Sequence, residues 1–410
     1  MSQSRNRYLI IMILGGLSTV SPFAIDMYLP AFPEVAAALH TTTAHLSLSI
    51  SSYFAGLAIG QLCYGPLLDR FGRKLPLYAG LGIFMVASIL CLFSQSVEWL
   101  IACRVLQAMG GCAAQVAAMA MVRDFFHVDE TAKIISLLIL ILSVSPFLAP
   151  KVGYFVAKHF GWQAVFIVLA SFVLLMLVIS IWKLPTGHQP DKSISLRPMP
   201  ILRNYLIVLR EPQFLTYALS GAFVFSGLLA YVASSPIVFM EYFHVSPQLF
   251  STIFAVLAVG FVGSNQINVF LLRKFTSEQI FRGTLLVDCP MVTLLLAGTI
   301  FGWFNLSETL VLLFIILSSL GLAFPNAAAL SLVPFEQNIG SASAMLGFLQ
   351  IGISVVASAA IGVFNSHTLM PVALIMALTS WIGLAVLLLG KRRIHGLRYV
   401  EEKGADFLPH

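Results

Sequence analysis

One carboxylate, Asp26, lies near the end of the first long apolar run, in the segment FAIDMYLPAFP. Pro22 precedes it by about one helical turn and Pro30 follows it by about one turn. Because proline has no amide hydrogen, Pro22 leaves the Ser18 carbonyl and Pro30 leaves the Asp26 carbonyl without a helical partner. A bilayer tolerates such broken backbone only where it faces protein or a wet cavity. The sequence therefore predicts a kinked, polar site around Asp26.

A carboxylate at this place could carry a proton. Placing it at membrane depth costs at least about 2.5–3.5 kcal/mol, and burial favours its protonated form. We expect Asp26 to take up a proton when enclosed and to release it when rewetted or faced by a cation. The alternative is that Asp26 lies at the outer membrane interface, about 27 Å along the helix from Tyr8, where it is hydrated and does nothing.

Arg104 lies inside the fourth apolar run, with Gln107 one turn further on. An arginine within a membrane span needs a partner. It could balance the charge of a cavity, favour the charged form of a nearby acid, or relay a proton-linked change. Alternatively, it could extend to the lipid headgroups and have no further role.

Two further charged residues lie inside apolar runs, and the sequence does not decide between two roles for each of them. Lys151 in the fifth run could extend outward together with Lys158, or it could line a cavity and repel cationic cargo. Asp288 in the ninth run, close to Pro290, could be a second proton site or a polar packing residue on a peripheral helix.

The composition indicates an integral membrane protein. Of 410 residues, 59% are hydrophobic and 10% are charged, against about 25% charged residues in a soluble domain. The mean hydropathy is +0.93. The first run continues from Tyr8 to Pro33 and exceeds the 7–15 apolar residues of a signal peptide, so we expect a retained span.

Several classes of function are excluded. The net charge of +6 comes from short clusters between apolar runs, without the basic stripe and stacking aromatics of a nucleic-acid-binding protein. The five cysteines lie in apolar runs without a CxxC pair, and the nine histidines lack ligand spacing, so we expect no disulfide and no metal site. We find no HExxH motif and no Ser/His/Asp set, and the loops are too short for a catalytic domain, so we expect no enzyme.

The apolar runs predict twelve spans of about 20 residues or more. They lie near 8–33, 44–68, 75–95, 98–122, 132–157, 162–184, 212–240, 247–272, 278–303, 307–332, 338–364 and 369–390. The segment 185–211 is rich in proline and charge and predicts a cytoplasmic linker between halves 1–184 and 212–390. Residues 391–410 form a predicted cytoplasmic tail.

The basic residues predict the orientation of the chain. With the N-terminus inside, 20 of the 23 lysines and arginines fall on the cytoplasmic side, and Lys158 alone falls in an outside loop. Both termini are therefore expected in the cytoplasm. The basic loop LLDRFGRK after the second span has a counterpart, FLLRKFTSEQIFRG, after the eighth, which indicates an internal duplication of the kind found in transporters.

Four motifs carry a resemblance to a known family. GPLLDRFGRKLPLYAG, residues 65–80, resembles the G-x-x-x-D-R-x-G-R-[KR] loop of the major facilitator superfamily, and RVLQAMGG, 104–111, resembles its fourth-helix motif. SVSPFLAPKVG, 143–153, resembles the fifth-helix motif of drug:proton antiporters, except for Lys151, where relatives have an apolar or small residue. AIDMYLPAFP and residues 324–350 resemble the bicyclomycin-resistance (Bcr/CflA) branch. The resemblance covers essentially the whole chain and implies an all-α membrane protein with 12 transmembrane helices in two pseudo-symmetric six-helix bundles.

In that superfamily the loop after the second span acts as a latch on the inner side. The resemblance implies that Asp69 faces the N-terminus of the eleventh helix and that Arg73 lies between Asp69 and Asp124, holding the outward-open state. A carboxylate at a helix N-terminus is favoured by about 0.3–1 kcal/mol. The alternative is a plain basic inside loop. The expected latch comprises Gly65, Asp69, Arg70, Gly72, Arg73, Lys74 and Asp124.

The resemblance also implies a function. We expect a proton-coupled multidrug antiporter of the bacterial inner membrane that exports small, largely apolar compounds of the chloramphenicol or bicyclomycin type. We expect it to need no cofactor, because the proton gradient drives transport. A dedicated transporter of one metabolite, exporter or importer, is the alternative. Asp26 and Arg104 are the expected proton-coupling residues, and we expect a monomer in the lipid bilayer with drugs and protons as its partners and no nucleic acid. The expected substrate-binding residues are Asp26, Met27, Tyr28, Tyr53, Gln107, Gln115, Met119, Tyr231, Asn326 and Gln350.

Overall fold

The computed structural model describes residues 2–126, 134, 137–185, 187, 190–191, 198–335, 339–364 and 368–394. Within these residues the regular secondary structure is helical, and twelve helical segments are long and apolar enough to cross a membrane. We label them in chain order. They are α1 Arg7–Ala38, α2 Thr43–Phe71, α3 Lys74–Leu92, α4 Val97–Phe125, α5 Leu137–Phe160, α6 Gln163–Lys183, α7 Pro212–Tyr242, α8 Pro247–Leu271, α9 Ser277–Phe301, α10 Leu306–Leu332, α11 Ile339–Phe364 and α12 Met370–Lys391.

The twelve predicted spans are confirmed. The main difference is at α1, which continues to Ala38 instead of ending at Pro33. Its first helix, Ser2–Asp26, is followed by a 3-10 turn, Leu29–Ala31, and by a short helix, Phe32–Ala38. Pro33 lies in the first turn of that short helix, where a missing amide hydrogen costs nothing. Part of the predicted start of the fifth span and most of the predicted tail, from residue 395, lie outside the described residues.

Polar caps fix where many of the helices begin. The Thr42 hydroxyl accepts a hydrogen bond from the His45 amide at the start of α2, and the Ser96 hydroxyl accepts one from the Trp99 amide at the start of α4. Thr276 and Asn305 form capping boxes at the starts of α9 and α10. These caps satisfy amides that have no partner within the helix.

The helices form two halves. In the first, α2 and α3 pack against α4, α1 packs against α4, and α6 packs against α3; in the second, α7 packs against α12 and α10 packs against α8 and α9. The halves meet where α2 packs along α11 and α5 packs against α8. Small residues allow the close contacts, as at Gly362 in α11, where a Cβ atom would lie 2.6 Å from the Leu48 side chain of α2.

The two ends of the bundle differ. We call the end with the α2–α3 loop the basic end and the other end the opposite end. At the opposite end the Thr43 hydroxyl, in the first turn of α2, donates a hydrogen bond to the Glu241 carboxylate of α7 and so joins the two halves. The 3-10 turn of α1 also packs there against α7 and α8. At the basic end a helix of the linker, Pro198–Leu209, lies against α11.

Candidate functional site

The first helix of α1 ends at Asp26, and the backbone changes its hydrogen-bonding pattern there. The Met27 amide still bonds the Phe23 carbonyl at 3.1 Å, but the Tyr28 amide bonds the Ile25 carbonyl at 3.3 Å. Because Tyr28 would otherwise bond Ala24, the break leaves the Ala24 carbonyl without its helical donor. Pro22, which the sequence predicts as one of two breaking points, lies inside the continuous helix.

Arg104 of α4 provides the missing donor. Its Nη2 donates a hydrogen bond to the Ala24 carbonyl at 3.0 Å, and its Nη1 donates one to the Gln107 amide oxygen at 2.6 Å. The Gln107 amide nitrogen in turn donates to the Ser88 hydroxyl of α3 at 2.8 Å. A chain of hydrogen bonds therefore joins α3, α4 and the broken backbone of α1.

Two tyrosine rings enclose the guanidinium. Its carbon lies 5.0 Å from the ring centre of Tyr28 and 4.3 Å from that of Tyr53, and Arg104 is 0% exposed. Cation–π contacts of this kind contribute up to about 2 kcal/mol when desolvated. Within the described residues, Nε of Arg104 has no hydrogen-bond partner. Arg104 is thus held inside the protein, and the alternative that it extends to the headgroups is wrong for this conformation.

Asp26 lies on the other side of the break and is 7% exposed. Its Oδ2 accepts a hydrogen bond from the Ser145 hydroxyl of α5 at 3.1 Å. Tyr231 of α7, in the other half, lies close enough for its hydroxyl to interact electrostatically with Asp26. That hydroxyl is buried and finds no hydrogen-bond partner in the part of the chain that the structure describes. Asp26 is therefore enclosed between α1, α5 and α7, in contrast to the alternative of a hydrated acid at the outer interface.

Arg104 and Asp26 are neighbours that do not pair. The guanidinium donates its hydrogen bonds to Ala24 and Gln107. Among the described residues, the Asp26 carboxylate accepts its hydrogen bond from Ser145. Arg104 therefore acts on the backbone next to Asp26 and not on the carboxylate itself.

Gly153 of α5 explains how α5 comes so close to the break. A Cβ atom at Gly153 would lie 2.0 Å from the Met27 carbonyl oxygen, far inside van der Waals contact. Only glycine fits at this point. Gly153 belongs to the LAPKVG segment, so this part of the fifth-helix motif serves to pack α5 against the broken part of α1.

The residues predicted to bind substrate fall into two groups. Met27, Tyr28, Tyr53 and Gln107 are at most 1% exposed and are enclosed by other side chains, so they are not accessible to a substrate in this conformation. Their contact with substrate stays a prediction. Tyr231, Asn326 and Gln350 are also buried, but the Tyr231 hydroxyl and the Gln350 amide nitrogen have no hydrogen-bond partners among the residues that the structure describes. Asn326 of α10 donates a hydrogen bond to the Asn268 side chain of α8 at 2.6 Å.

One face of α4 becomes open toward the basic end. Arg104, Gly111, Gln115 and Met119 share this face at intervals of seven, four and four residues. Arg104 is buried and a Cβ atom at Gly111 would lie 2.6 Å from the Ser21 hydroxyl, whereas Gln115 is half-buried and Met119 is 39% exposed. The face is therefore closed near the break in α1 and open nearer the basic end.

At the basic end, Arg73 lies between two carboxylates. Its Nη1 bonds Asp69 at 2.6 Å and its Nε bonds Asp124 at 2.8 Å. Burial acts to lower the pKa of Arg73, but the hydrogen bonds to Asp124 and Asp69 outweigh it and raise the pKa. The guanidinium therefore stays charged at physiological pH and links the α2–α3 loop to the end of α4.

The other expected latch residues have different environments. Gly72 has a φ of +77°, which favours glycine, and it ends α2. Gly65 lies inside α2, and no atom of the described residues lies within 4 Å of its Cβ position, so no close helix approach requires a glycine there. Lys74 begins α3, and the guanidinium of Arg70 lies 5.9 Å from the ring centre of Phe71.

Part of the linker covers this ion pair, which the sequence did not indicate. A Cβ atom at Gly187 would lie 2.9 Å from Oδ2 of Asp124, and the Asp191 amide donates a hydrogen bond to the Asp69 carbonyl at 3.2 Å. The expected contact of Asp69 with the N-terminus of α11 stays a prediction. Residues 336–338, which precede α11, lie outside the described part of the chain.

The structure shows the surroundings of Lys151 and Asp288, the two charged residues whose roles the sequence does not decide. Lys151 is exposed on the face of α5 that also carries Leu148 and Phe155, so it lies on the outer surface of the bundle. This position favours the interpretation that the Lys151 side chain extends outward over the interpretation that it lines a cavity. Asp288 is 1% exposed and accepts hydrogen bonds from Ser319 of α10 at 2.7 Å and Ser380 of α12 at 2.6 Å. Its contacts are those of a polar packing residue within the second half.

Twelve membrane-spanning helices in two halves, with buried charges at a broken helix between them, define a membrane transporter of the secondary type. The sequence matches the Major Facilitator Superfamily over residues 14–361. The chain belongs to this superfamily of transporters, so it is a transporter and not an enzyme.

Three relatives span most of the chain. It is 30% identical to the MFS-type transporter YdgK of Bacillus subtilis, over 95% of this chain and 97% of the relative. It is 28% identical to a bicyclomycin resistance protein homolog of Haemophilus influenzae, over 92% and 94% of the two chains. It is 29% identical to the multidrug resistance protein MdtL of Escherichia fergusonii, over 80% and 82%.

Two solved structures share the fold. A bacterial homolog of the human lysosomal transporter Spinster, in an inward-facing and occupied conformation, has a TM-score of 0.72 at 15% identity, over 96% of this chain and 99% of the other. A D-xylose–proton symporter has a TM-score of 0.75 at 12% identity, over 95% and 98%. At these identities the likeness concerns the fold alone.

Proposed function

We propose that this chain is a proton-coupled multidrug efflux antiporter that exports small, largely apolar compounds by alternating access. The names of two relatives, a bicyclomycin resistance protein homolog and a multidrug resistance protein, support this class of cargo. The motifs of the first, fourth and fifth spans support the same branch of the superfamily.

The observation that carries the proposal is the environment of Asp26. The carboxylate is buried and accepts one hydrogen bond from Ser145. It also interacts electrostatically with the Tyr231 hydroxyl of the other half, which has no hydrogen-bond partner among the described residues. An acid between two halves that move relative to one another changes its surroundings in each transport cycle. Since burial favours the protonated form and hydration the charged form, such an acid exchanges its proton as the halves move.

The proposed cycle uses this change of surroundings. With the opposite end open, Asp26 takes up a proton from outside. The halves then rock, the opposite end closes around the Thr43–Glu241 contact, and the basic end opens to the cytoplasm. Substrate binding favours proton release there, and the loaded carrier returns. The driving force is sufficient, at about 1.4 kcal/mol per pH unit and about 2.3 kcal/mol per charge per 100 mV.

Arg104 has a supporting part in this cycle. Its bonds to Ala24 and Gln107 fix the broken backbone that presents Asp26, and its two tyrosine neighbours shield its charge. We propose that Arg104 keeps the break in α1 in one geometry while the proton on Asp26 comes and goes. Gln115 and Met119, on the same face of α4, are the proposed contacts of a substrate that enters from the basic end.

We further propose that the basic end faces the cytoplasm of a bacterium and that the protein lies in the inner membrane as a monomer. The distribution of lysine and arginine supports this orientation. In the proposed outward-open state, Asp69 and the Arg73–Asp124 pair hold the basic end closed against α11.

Transport into reconstituted vesicles tests the proposal. With an imposed pH gradient, the wild-type protein is expected to move chloramphenicol-like or bicyclic compounds against their gradient. Asp26→Asn is expected to abolish this uphill movement but to keep the exchange of labelled for unlabelled substrate, which needs no net proton transfer. Asp288→Asn is the matched control, because it removes another buried carboxylate and is expected to keep both activities.

Uphill transport at the wild-type rate by Asp26→Asn would defeat the proposal. The alternative, a transporter dedicated to one metabolite, predicts a different pattern. In that case no member of a drug panel moves, whereas one metabolite accumulates in the vesicles.

A further inference from the structure

The linker between the two halves contains a helix, Pro198–Leu209, that touches both of them. Tyr205 and Val208 are buried in a small apolar cluster with Met345 and Leu346 of α11. On the other side, the Tyr205 hydroxyl donates a hydrogen bond to the Leu62 carbonyl of α2 at 3.1 Å. The helix is therefore fixed to both halves by its buried face.

The acceptor of this bond is specified by the sequence. Pro66 lies inside α2, and its missing amide hydrogen leaves the Leu62 carbonyl, four residues earlier, without a helical donor. Tyr205 supplies that donor. The linker helix is thus held at a defined position on α2 and not merely placed near it.

The position of Leu62 sets the height of the helix relative to the membrane. The 29 residues of α2 extend over about 43 Å, whereas the hydrocarbon core is about 30 Å thick. Leu62 lies nine residues before the end of α2 at Phe71, or about 14 Å. A helix whose tyrosine reaches this carbonyl lies near the boundary between hydrocarbon and headgroups.

The face of the helix turned away from the protein is apolar and basic. Met199, Leu202, Leu206 and Ile207 are between 45% and 75% exposed. Successive residues are about 100° apart around a helix, so Arg203 shares this face, as does Arg210 just after its last turn. Asn204, also exposed, lies on a different side.

We propose that this helix lies in the membrane interface, with its exposed apolar side chains inserted into a phospholipid monolayer and Arg203 and Arg210 bound to lipid phosphates. A helix that presents apolar side chains together with arginine can lie in the membrane interface in this way, because arginine reaches phosphate while its stem stays in apolar surroundings. Anionic lipids add to the attraction, by about fivefold in affinity for each basic residue near the surface.

Two features of the structure favour a lipid surface over a second copy of this chain. The helix leads into α7 after only Arg210 and Glu211, so it lies directly at a membrane-spanning segment. Its exposed face also combines apolar side chains with positive charge, which complements an anionic headgroup layer. A second copy would bring the same positive charge to the contact.

Site-directed fluorescence on the full-length protein tests this inference. The five native cysteines are replaced by serine or alanine, and a single cysteine is introduced as Leu202→Cys or, as the matched control, Asn204→Cys. Each is labelled with an environment-sensitive fluorophore and placed in lipid nanodiscs. Position 202 is expected to be quenched several-fold more strongly by brominated lipids than position 204, and several-fold less by aqueous iodide.

The charges are tested in the same assay. Arg203→Gln with Arg210→Gln is expected to increase iodide access at position 202 in anionic nanodiscs and to remove the difference between anionic and zwitterionic lipids. Equal quenching of positions 202 and 204 by iodide would overturn the proposal, as would crosslinking of Leu202→Cys between two copies of the chain in place of lipid contact. Since the assay does not measure transport, its result is independent of the cargo.

Discussion

Arg104 donates a hydrogen bond to the carbonyl oxygen of Ala24 at 3.0 Å, and so satisfies the backbone group that the break in α1 leaves free. The acid proposed to carry the proton, Asp26, follows two residues later. The arrangement couples a permanent charge to the geometry of a broken helix without pairing the charge with the acid. Broken helices in transporters use side chains in this way to satisfy backbone groups within the membrane.

Arg104→Lys is expected to destabilise the protein although it keeps the charge. Lysine lacks the planar fork that bonds Ala24 and Gln107 at once and stacks between two tyrosine rings. Losing one hydrogen bond to a charged group costs about 1.5–3 kcal/mol, so the apparent melting temperature in detergent should fall. Arg282→Lys, at an exposed position of α9, is the control and should leave it nearly unchanged. Identical melting temperatures for the two variants would show that the Ala24 contact has no structural weight.

Gly153→Ala is expected to disturb the packing of α5 against the broken part of α1. The added Cβ atom would meet the Met27 carbonyl oxygen at 2.0 Å, and this backbone atom cannot move aside without shifting α1. Overpacking of this kind costs about 1–3 kcal/mol. Gly65→Ala is the matched control, because no atom of the described ranges lies within 4 Å of its Cβ position. Thermal unfolding followed by tryptophan fluorescence compares the two, and equal stability would contradict the close approach.

These examples show what the sequence could and could not predict. Long apolar runs determine the twelve spans, since a chain in lipid must form helices of membrane length. Asp26 and Arg104 could be found because a charge in such a run is costly. The hydrogen bond from Arg104 to the Ala24 carbonyl could not be predicted. The two prolines indicate that the carbonyls of Ser18 and Asp26 lack helical donors, but the 3-10 turn also leaves the Ala24 carbonyl without one. Likewise, a glycine in a loop motif does not reveal whether it turns the chain, as Gly72 does, or lies in a helix with space around it, as Gly65 does.

Contacts made by the linker were also beyond the sequence. Gly187 packs on the Arg73–Asp124 pair, and Tyr205 bonds the carbonyl that Pro66 leaves free. Each contact joins segments that are far apart in the chain. Only the three-dimensional arrangement brings them together.

A double-mutant cycle is expected to detect the contact between Arg73 and Asp124. Arg73→Gln and Asp124→Asn should each reduce stability, and their effects should not add, with a coupling energy of about 1–2 kcal/mol for a pair that is largely shielded from solvent. Denaturation by heat in detergent at low and high salt measures it. Because the pKa of Arg73 is raised, the coupling should persist to high pH. Strictly additive effects would indicate a plain basic loop.

Glu241→Ala is expected to open the opposite end of the bundle. The Glu241 carboxylate joins the two halves there through the Thr43 hydroxyl. Without it, a cysteine introduced as Met27→Cys, a position that is 1% exposed, should react several-fold faster with a membrane-impermeant maleimide added outside cells. Glu98→Ala, which removes another carboxylate at the start of α4, is the control and should leave the rate unchanged. An unchanged rate in both variants would mean that other contacts keep this end closed.

Proton release on substrate binding tests the central claim most directly. In weakly buffered detergent solution, adding a transported drug to purified protein should release protons in the wild type and in Asp288→Asn, as recorded by a pH-sensitive dye. The release should vanish in Asp26→Asn, while a binding assay still detects the drug. A full release of protons from Asp26→Asn would contradict the account, because the exchanged proton would then reside on another group.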